Sequence, residues 1–436
     1  MKNYRMLVPI VLIALLVASW YLLTTNTEQQ NAEYEGYLTE ARRHAGNTVT
    51  KRALESYRMA LDLQSSVDIY VEVAEYLKKE GVKDEYLDWC KEFLEAYPTE
   101  VKAYEFILDS YVLQKDYESC FDIIVVAEKR QVRSDKIDEI TNAIAYYFKL
   151  DFNSYDDVGV FSNNYCAIKR KEKWGFVDRF GKVRVSSKYK EVGSYTKSEL
   201  TPVIDSVDNV YFIDKTGAKI MASTESYLRF GLIADDIFAA QRPDGKYVYV
   251  DLDFNVLHGE YDYATTMNFD VAAVQIGGAW KIIDKSGAEL IATAYTDVIR
   301  DEKDIVYRNE RLFVSLGDGY IMIDSAGNRI GNQVYEDAKL FSDTTYAAVK
   351  INGEWCFVDG NGALKSDKKY EDARSFMNGM AAVQVSGKWG FVDENEELKI
   401  AAEYDGAKDF NEKGSCFVKN GEIWQLLKLY RLNRKG

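Results

Sequence analysis

The residues with the clearest chemical potential are seven aspartates, Asp178, Asp214, Asp251, Asp284, Asp324, Asp359 and Asp393, at intervals of 36, 37, 33, 40, 35 and 34 residues. A carboxylate row suggests calcium binding or acid/base hydrolysis of glycosides. A calcium loop needs oxygen ligands on alternate residues closed by a distant Glu, and Asp359-Gly-Asn-Gly362 supplies only the beginning of one. Glycoside hydrolysis needs two carboxylates set apart from the others, and no two copies stand out in that way. Glycine follows the Asp by three residues in five copies, as Gly181, Gly217, Gly287, Gly327 and Gly362. That is the chemistry of a tight hairpin, in which the carboxylate takes turn N–H groups and glycine supplies the positive φ. The aspartates are therefore expected to be structural, with no metal, cofactor or catalytic residue among them.

Composition narrows the other chemistries. The chain has 436 residues, 47% of them hydrophobic, and a net charge of −15 from 55 basic and 70 acidic side chains. It is too apolar for disorder, and it lacks the basic patch that nucleic acid would require. Two histidines, His44 and His258, lie far apart in sequence, which disfavours zinc sites and Ser-His or Cys-His arrangements. Five cysteines form neither a disulfide scaffold nor a CxxC site. Cys166 and Cys416 each lie eight residues before a Trp; they could meet if the array closes, and otherwise serve as small buried apolar groups. These features point away from an enzyme.

The elements that must position the aspartates form a repeat. Four residues before them stand Trp174, Val210, Tyr247, Trp280, Tyr320, Trp355 and Trp389, expected to anchor the core. Ten to thirteen residues after them stand Tyr189, Tyr227, Tyr261, Tyr295, Tyr335, Tyr370 and Tyr404. Each copy reads strand, hairpin, strand, hairpin, strand, then the Tyr segment. Trp424 begins an eighth copy that lacks the Asp and reads as a terminal cap. Trp174-Gly-Phe-Val-Asp178 and Trp389-Gly-Phe-Val-Asp393 carry a Trp-Gly signature, with Tyr370-Glu-Asp-Ala-Arg-Ser-Phe376 and Tyr404-Asp-Gly-Ala-Lys-Asp-Phe410 beyond it. This resembles the WG β-repeat family, and the resemblance implies an interaction role and no reaction. Residues 153–436 are thus expected to be an all-β array of seven tandem copies, closing into a propeller-like ring or, alternatively, extending as an open β superhelix. Its aromatic rows suggest a second use, stacking against glycans of a cell wall.

Residues 26–152 show apolar three-and-four spacing. Tyr37, Tyr70 and Tyr104, Ala41, Ala74 and Leu108, and Ala60, Phe93 and Ala127 recur at 33 and 34 residues. With Ala53-x-x-x-Tyr57-x-x-Ala60, Tyr111 and Pro98 this resembles degenerate tetratricopeptide repeats, with Leu108 and Tyr86 departing from the small residues usual there. A last helix is expected at about 134–149. The resemblance implies a groove for a protein partner, a spacer being the alternative. Residues 6–23 form an uncharged run of 18 after Lys2 and Arg5, about 27 Å long as a helix. Residues 1–25 therefore read as a single-pass signal anchor with a cytoplasmic N-terminus and the bulk exported to the bacterial envelope, or else as a cleaved signal peptide.

Overall fold

The computed structural model describes residues 27–342 and 345–430. The chain divides into two compact units, Met1–Ala145 and Tyr146–Gly436. Among the described residues no helix is long and apolar enough to cross a membrane; the run at 6–23 lies outside them.

The described part of the first unit contains seven helices: α1 (27–46), α2 (Thr50–Leu63), α3 (Val67–Glu80), α4 (Lys83–Ala96), α5 (Val101–Gln114), α6 (Tyr117–Lys129) and α7 (Asp135–Ala143). Their ends follow local chemistry. Asp116 caps α6 by accepting from the Ser119 N–H at 3.2 Å, and Gly81 closes α3 in the left-handed conformation. The recurring small residues Ala41, Ala53, Ala60, Ala74 and Ala127 are all buried, which lets neighbouring helices approach closely. Leu108 and Tyr86 are buried too; Tyr86 is accommodated by donating its hydroxyl to the Phe106 carbonyl at 3.2 Å. Ion pairs one repeat apart, Arg42–Glu72 and Arg58–Glu92, tie the rims.

The second unit is an eight-bladed β-propeller. Blade 1 contains strands Asp157–Val158, Tyr165–Arg170, Lys173–Asp178 and Val183–Tyr189, hydrogen-bonded in that order. Blades 2 to 7 repeat this antiparallel meander, blades 4 and 6 with isolated bridges in place of a full outer strand. Blade 8 is built from Gly406–Ala407, Ser415–Asn420 and Ile423–Leu429, and its outer strand is Phe148–Tyr155 from the beginning of the unit. That strand closes the ring, so the open superhelix does not form.

Three expectations are corrected here. The ring has eight blades, and the copy at Trp424 is a full member, because its missing tyrosine is supplied from upstream. Trp174 pairs with Tyr189, Trp389 with Tyr404, and by the same register Trp424 pairs with Tyr155. The boundary falls at 145/146 and not at 152/153, because cutting at 152 would split the closing strand. The last helix stops at Ala143 and not near 149, since Phe148-Lys-Leu-Asp-Phe152 alternates apolar and polar and residues 148–155 find a strand partner in blade 8.

Candidate functional site

All seven repeated aspartates sit at the same turn and do the same work. In each, Oδ1 accepts from the backbone N–H groups two and four residues on: Phe180 and Lys182 for Asp178, Thr216 and Ala218 for Asp214, Asp253 and Asn255 for Asp251. Asp284, Asp324, Asp359 and Asp393 repeat the pattern at 2.8–3.0 Å. Side-chain donors Thr216, Asn255, Ser286 and Asn328, acting with those N–H groups, hold Asp214, Asp251, Asp284 and Asp324 below the usual carboxylate range. Their lone pairs are committed to the backbone. Where glycine is missing, Phe254 and Glu396 occupy the same positive-φ position at 65° and 56°.

The aromatic row is less uniform than its register suggests. Trp280 and Trp355 are buried, whereas Trp174 and Trp389 are half-buried and keep one edge outside the core. The five cysteines are buried and unbonded, so Cys166 and Cys416 form no bridge although the ring closes. Burial pushes the Cys90 and Cys120 thiols up to about 12, out of the range of a nucleophile. His258 is held as a neutral tautomer, Nδ1 accepting from the Tyr261 hydroxyl at 2.9 Å and Nε2 donating to the Lys285 carbonyl at 3.1 Å. In the helical unit, Tyr70 stacks on Phe93 at 5.0 Å and Tyr104 is buried, so two of the repeated tyrosines serve packing.

The polar concavity of the second unit lies on the propeller axis. Its volume is about 970 Å³, and its wall takes residues from every blade, from Phe161 in blade 1 round to Asp409 in blade 8. The residue that follows each inner strand donates its N–H to the neighbouring strand at one register; these residues are Gly159, Gly193, Gly231, Thr265, Ile299, Lys339, Arg374 and Lys408. One side of the ring is therefore glycine, and the other side, blades 6 to 8, carries three consecutive cations.

The inner loop of blade 5 differs from the rest. It runs thirteen residues, 299–311, whereas the corresponding loops elsewhere run six to eight, as at 159–164 and 193–200. Its tip is an aspartate turn of the kind just described: Asp301 Oδ1 accepts from the Lys303 and Ile305 N–H groups at 2.8 and 3.0 Å, and Oδ2 pairs with Arg308 at 2.8 Å. The turn presents Glu302 to Arg374 of blade 7. Arg374 also grips Asp409 of blade 8 through two nitrogens, at 2.6 and 3.1 Å, so one guanidinium joins three blades. Burial alone would raise Glu302, but the attraction of Arg374, with help from Lys408, brings it down to about 2. Beside it Asp304 turns away from the cavity to accept from the Tyr263 hydroxyl at 3.1 Å, and burial pushes it up to about 6.

The sequence reading passed over this site. Its signal was present in the 40-residue interval between Asp284 and Asp324, the longest of the series, and in the basic residue of Asp372-Ala-Arg374 and Gly406-Ala-Lys408. The aspartate row drew attention to the turns at the blade ends, and the charges on the axis belong to the other end of each repeat.

Comparison with known proteins gives one family. The family described as WG containing repeat matches residues 154–174, 174–203, 357–389 and 389–424. No curated protein matches the sequence. Among solved structures, the computationally designed Ika8 protein is 12% identical, covering 64% of this chain and 98% of its own, with a TM-score of 0.43. BamB from Moraxella catarrhalis is 10% identical, covering 64% of this chain and 100% of its own, with a TM-score of 0.42. A eukaryotic initiation factor is 7% identical, covering 66% and 88%, also at 0.42. Likenesses of this order say nothing about what the chain binds. Propellers and other repeat domains commonly mediate protein interactions, and the β-propeller of this chain carries WG repeats, as its Trp-Gly signatures led one to expect.

Proposed function

We propose that the protein is a non-enzymatic scaffold that captures a partner protein, held at the cell envelope by its N-terminal apolar run with both repeat units exported. The observation that carries the recognition role is the axial cavity: a polar concavity of about 970 Å³ lined from all eight blades, with side chains of both charges on one rigid ring. Its lining offers charged groups and backbone suited to recognition, and the side chains that repeat most regularly are spent on turns and blade cores. The groove expected of the helical stack is a second contact surface in this reading. The test is capture of envelope proteins by the full chain and by fragments 27–145 and 146–436. Retention by the propeller fragment, blocked when the cavity is filled by a bulky substitution at the exposed lining residue Lys197, Lys197→Trp, supports the reading. Retention by the helical fragment alone would move recognition to the helices. Added protease should remove everything after residue 30 from cells whose outer layer is permeabilised, and a protected C-terminus would reverse the topology.

Glycan binding is the second reading. Trp389 and Trp424 line a small adjoining pocket of about 150 Å³ together with Lys339, Arg374 and Lys408. A glycan array run beside the protein capture separates the two.

A further inference from the structure

This inference rests on reading the axial cavity as the contact surface and names the chemistry recognised there. We propose that the basic group where the axial cavity meets its small adjoining pocket, Arg374 and Lys303 on the cavity wall with Lys408 from the pocket, is a receptor for an acidic side chain of a partner polypeptide, and that Glu302 occupies it as an internal stand-in. Three independent features lead to this. Glu302 arrives on a loop extended only in blade 5, and the aspartate turn at its tip fixes the carboxylate against Arg374. The pairing is unequal: Asp409 takes two guanidinium nitrogens in a fork, while Glu302 takes one and leaves 41% of its side chain open to the cavity. A single charge-assisted bond at an open edge is the one an incoming carboxylate can replace. Finally, neither Lys303 nor Lys408 makes a hydrogen bond or ion pair through its ammonium with a described residue; Lys408 lies over the Trp424 ring at 5.6 Å. Two half-buried ammonium groups that feel Glu302 only at a distance and hydrogen-bond to no carboxylate, beside an arginine that holds two, favour an added negative charge at this point of the ring. Burial, with Arg308 nearby, also holds Lys303 below the usual lysine range, a cost that a bound anion relieves.

The probe is a fluorescein-labelled hexaglutamate peptide, titrated into the full chain in detergent and followed by anisotropy, with hexaglutamine and inorganic sulfate as competitors. Glu302→Gln, which keeps the shape of the turn and removes the competing charge, should tighten hexaglutamate about tenfold, the equivalent of one charge-assisted hydrogen bond. Adding Lys303→Gln or Lys408→Gln to that variant should reverse the gain; neither substitution removes a hydrogen bond of the ring, so the result does not hinge on Arg374 variants folding. Hexaglutamine should not compete. Equal affinity of wild type and Glu302→Gln, or indifference to both lysine substitutions, would overturn the proposal. Competition by sulfate as strong as that by unlabelled hexaglutamate would also overturn it, showing a site for free anions. If envelope proteins were captured through the propeller while Glu302→Gln changed nothing, the scaffold reading would survive and this one would fall; if hexaglutamate responded as expected while all capture ran through fragment 27–145, the reverse would hold.

Discussion

Replacing Asp178 separates the two jobs that a repeat aspartate can hold. Its Oδ1 accepts from the Phe180 and Lys182 N–H groups at 2.9 and 3.0 Å, and its Oδ2 takes the Arg184 guanidinium at 2.7–2.8 Å. The Asp178 side chain is only 8% exposed, so water replaces it poorly at the two turn N–H groups, whereas the Arg184 side chain is 41% exposed and rehydrates freely. In Asp178→Ala the two stranded donors should cost about 2 to 3 kcal/mol together, slightly above the usual range for a lost cap. In Asp178→Asn the Oδ1 acceptor survives and only a partly exposed ion pair is lost, a cost of roughly 0 to 1 kcal/mol. For a unit of this size that means Tm falling by roughly 5–10 °C for Ala and by less than about 4 °C for Asn. Thermal and urea unfolding of residues 146–436, followed by circular dichroism, measures both. Equal losses for the two variants would assign the energy to the ion pair with Arg184, and an Ala variant within about 2 °C of wild type would remove the structural account of the whole row.

Asp304 gives a test in pH. Its folded value near 6 lies above the unfolded one near 4, so the folded state binds the proton more tightly and stability falls as pH rises through that window. Asp304→Asn should therefore flatten the pH dependence between about 4 and 6 and stabilise the propeller at pH 7.5 by about 1 to 2 kcal/mol, allowing for partial solvent screening; a loss of urea resistance at pH 7.5 would contradict this. Gly245 and Gly287 both have φ near +90°, but a Cβ at Gly245 meets nothing within 4 Å while one at Gly287 would lie 2.8 Å from the His258 ring. Gly245→Ala should then cost about 1 kcal/mol and Gly287→Ala clearly more, as read from their urea midpoints. Removing residues 146–155 leaves the Ile423–Leu429 strand paired only with Ser415–Asn420 and bares its outer edge; light scattering should show association through that bare edge, and a monomer of unchanged Tm would refute closure by this strand.

What could be read from sequence was whatever recurred. A tyrosine or aspartate repeated seven times reveals both the unit and its turn chemistry, because one physical constraint acts on every copy. Tyr155 was invisible for the converse reason: its tryptophan, Trp424, is at the other end of the β region, so the pair has no period. The early end of the last helix had a related cause, since Phe148-Lys-Leu-Asp-Phe152 alternates as a strand does but finds its partner only at the far end of the β region. Half-burial of Trp174 and Trp389 beside full burial of Trp280 and Trp355 depends on what each neighbouring blade places over the ring edge, which no single repeat encodes. The axial cluster is the departure from the repeat, one overlong loop and three cations at a position that is glycine on the opposite side, and its meaning depends on the ring being closed.

Ring closure by the first strand also decides how the propeller would respond to a pull. Phe148 lies opposite Leu429, and the Tyr430 N–H reaches the Tyr147 carbonyl at 3.0 Å, so the chain enters and leaves the ring at neighbouring points. Force applied between these two ends would meet the antiparallel ladder one hydrogen bond at a time, from Phe148 toward Tyr155, and would peel the strand away at low load. Force applied between the entry point and an object seated on the axis would instead be shared around the ring, with the Glu302–Arg374–Asp409 link bearing part of it across blades 5, 7 and 8. A protein tethered at one end and gripping its partner at the axis would thus be weak when drawn by its own tail and strong when drawn by what it holds.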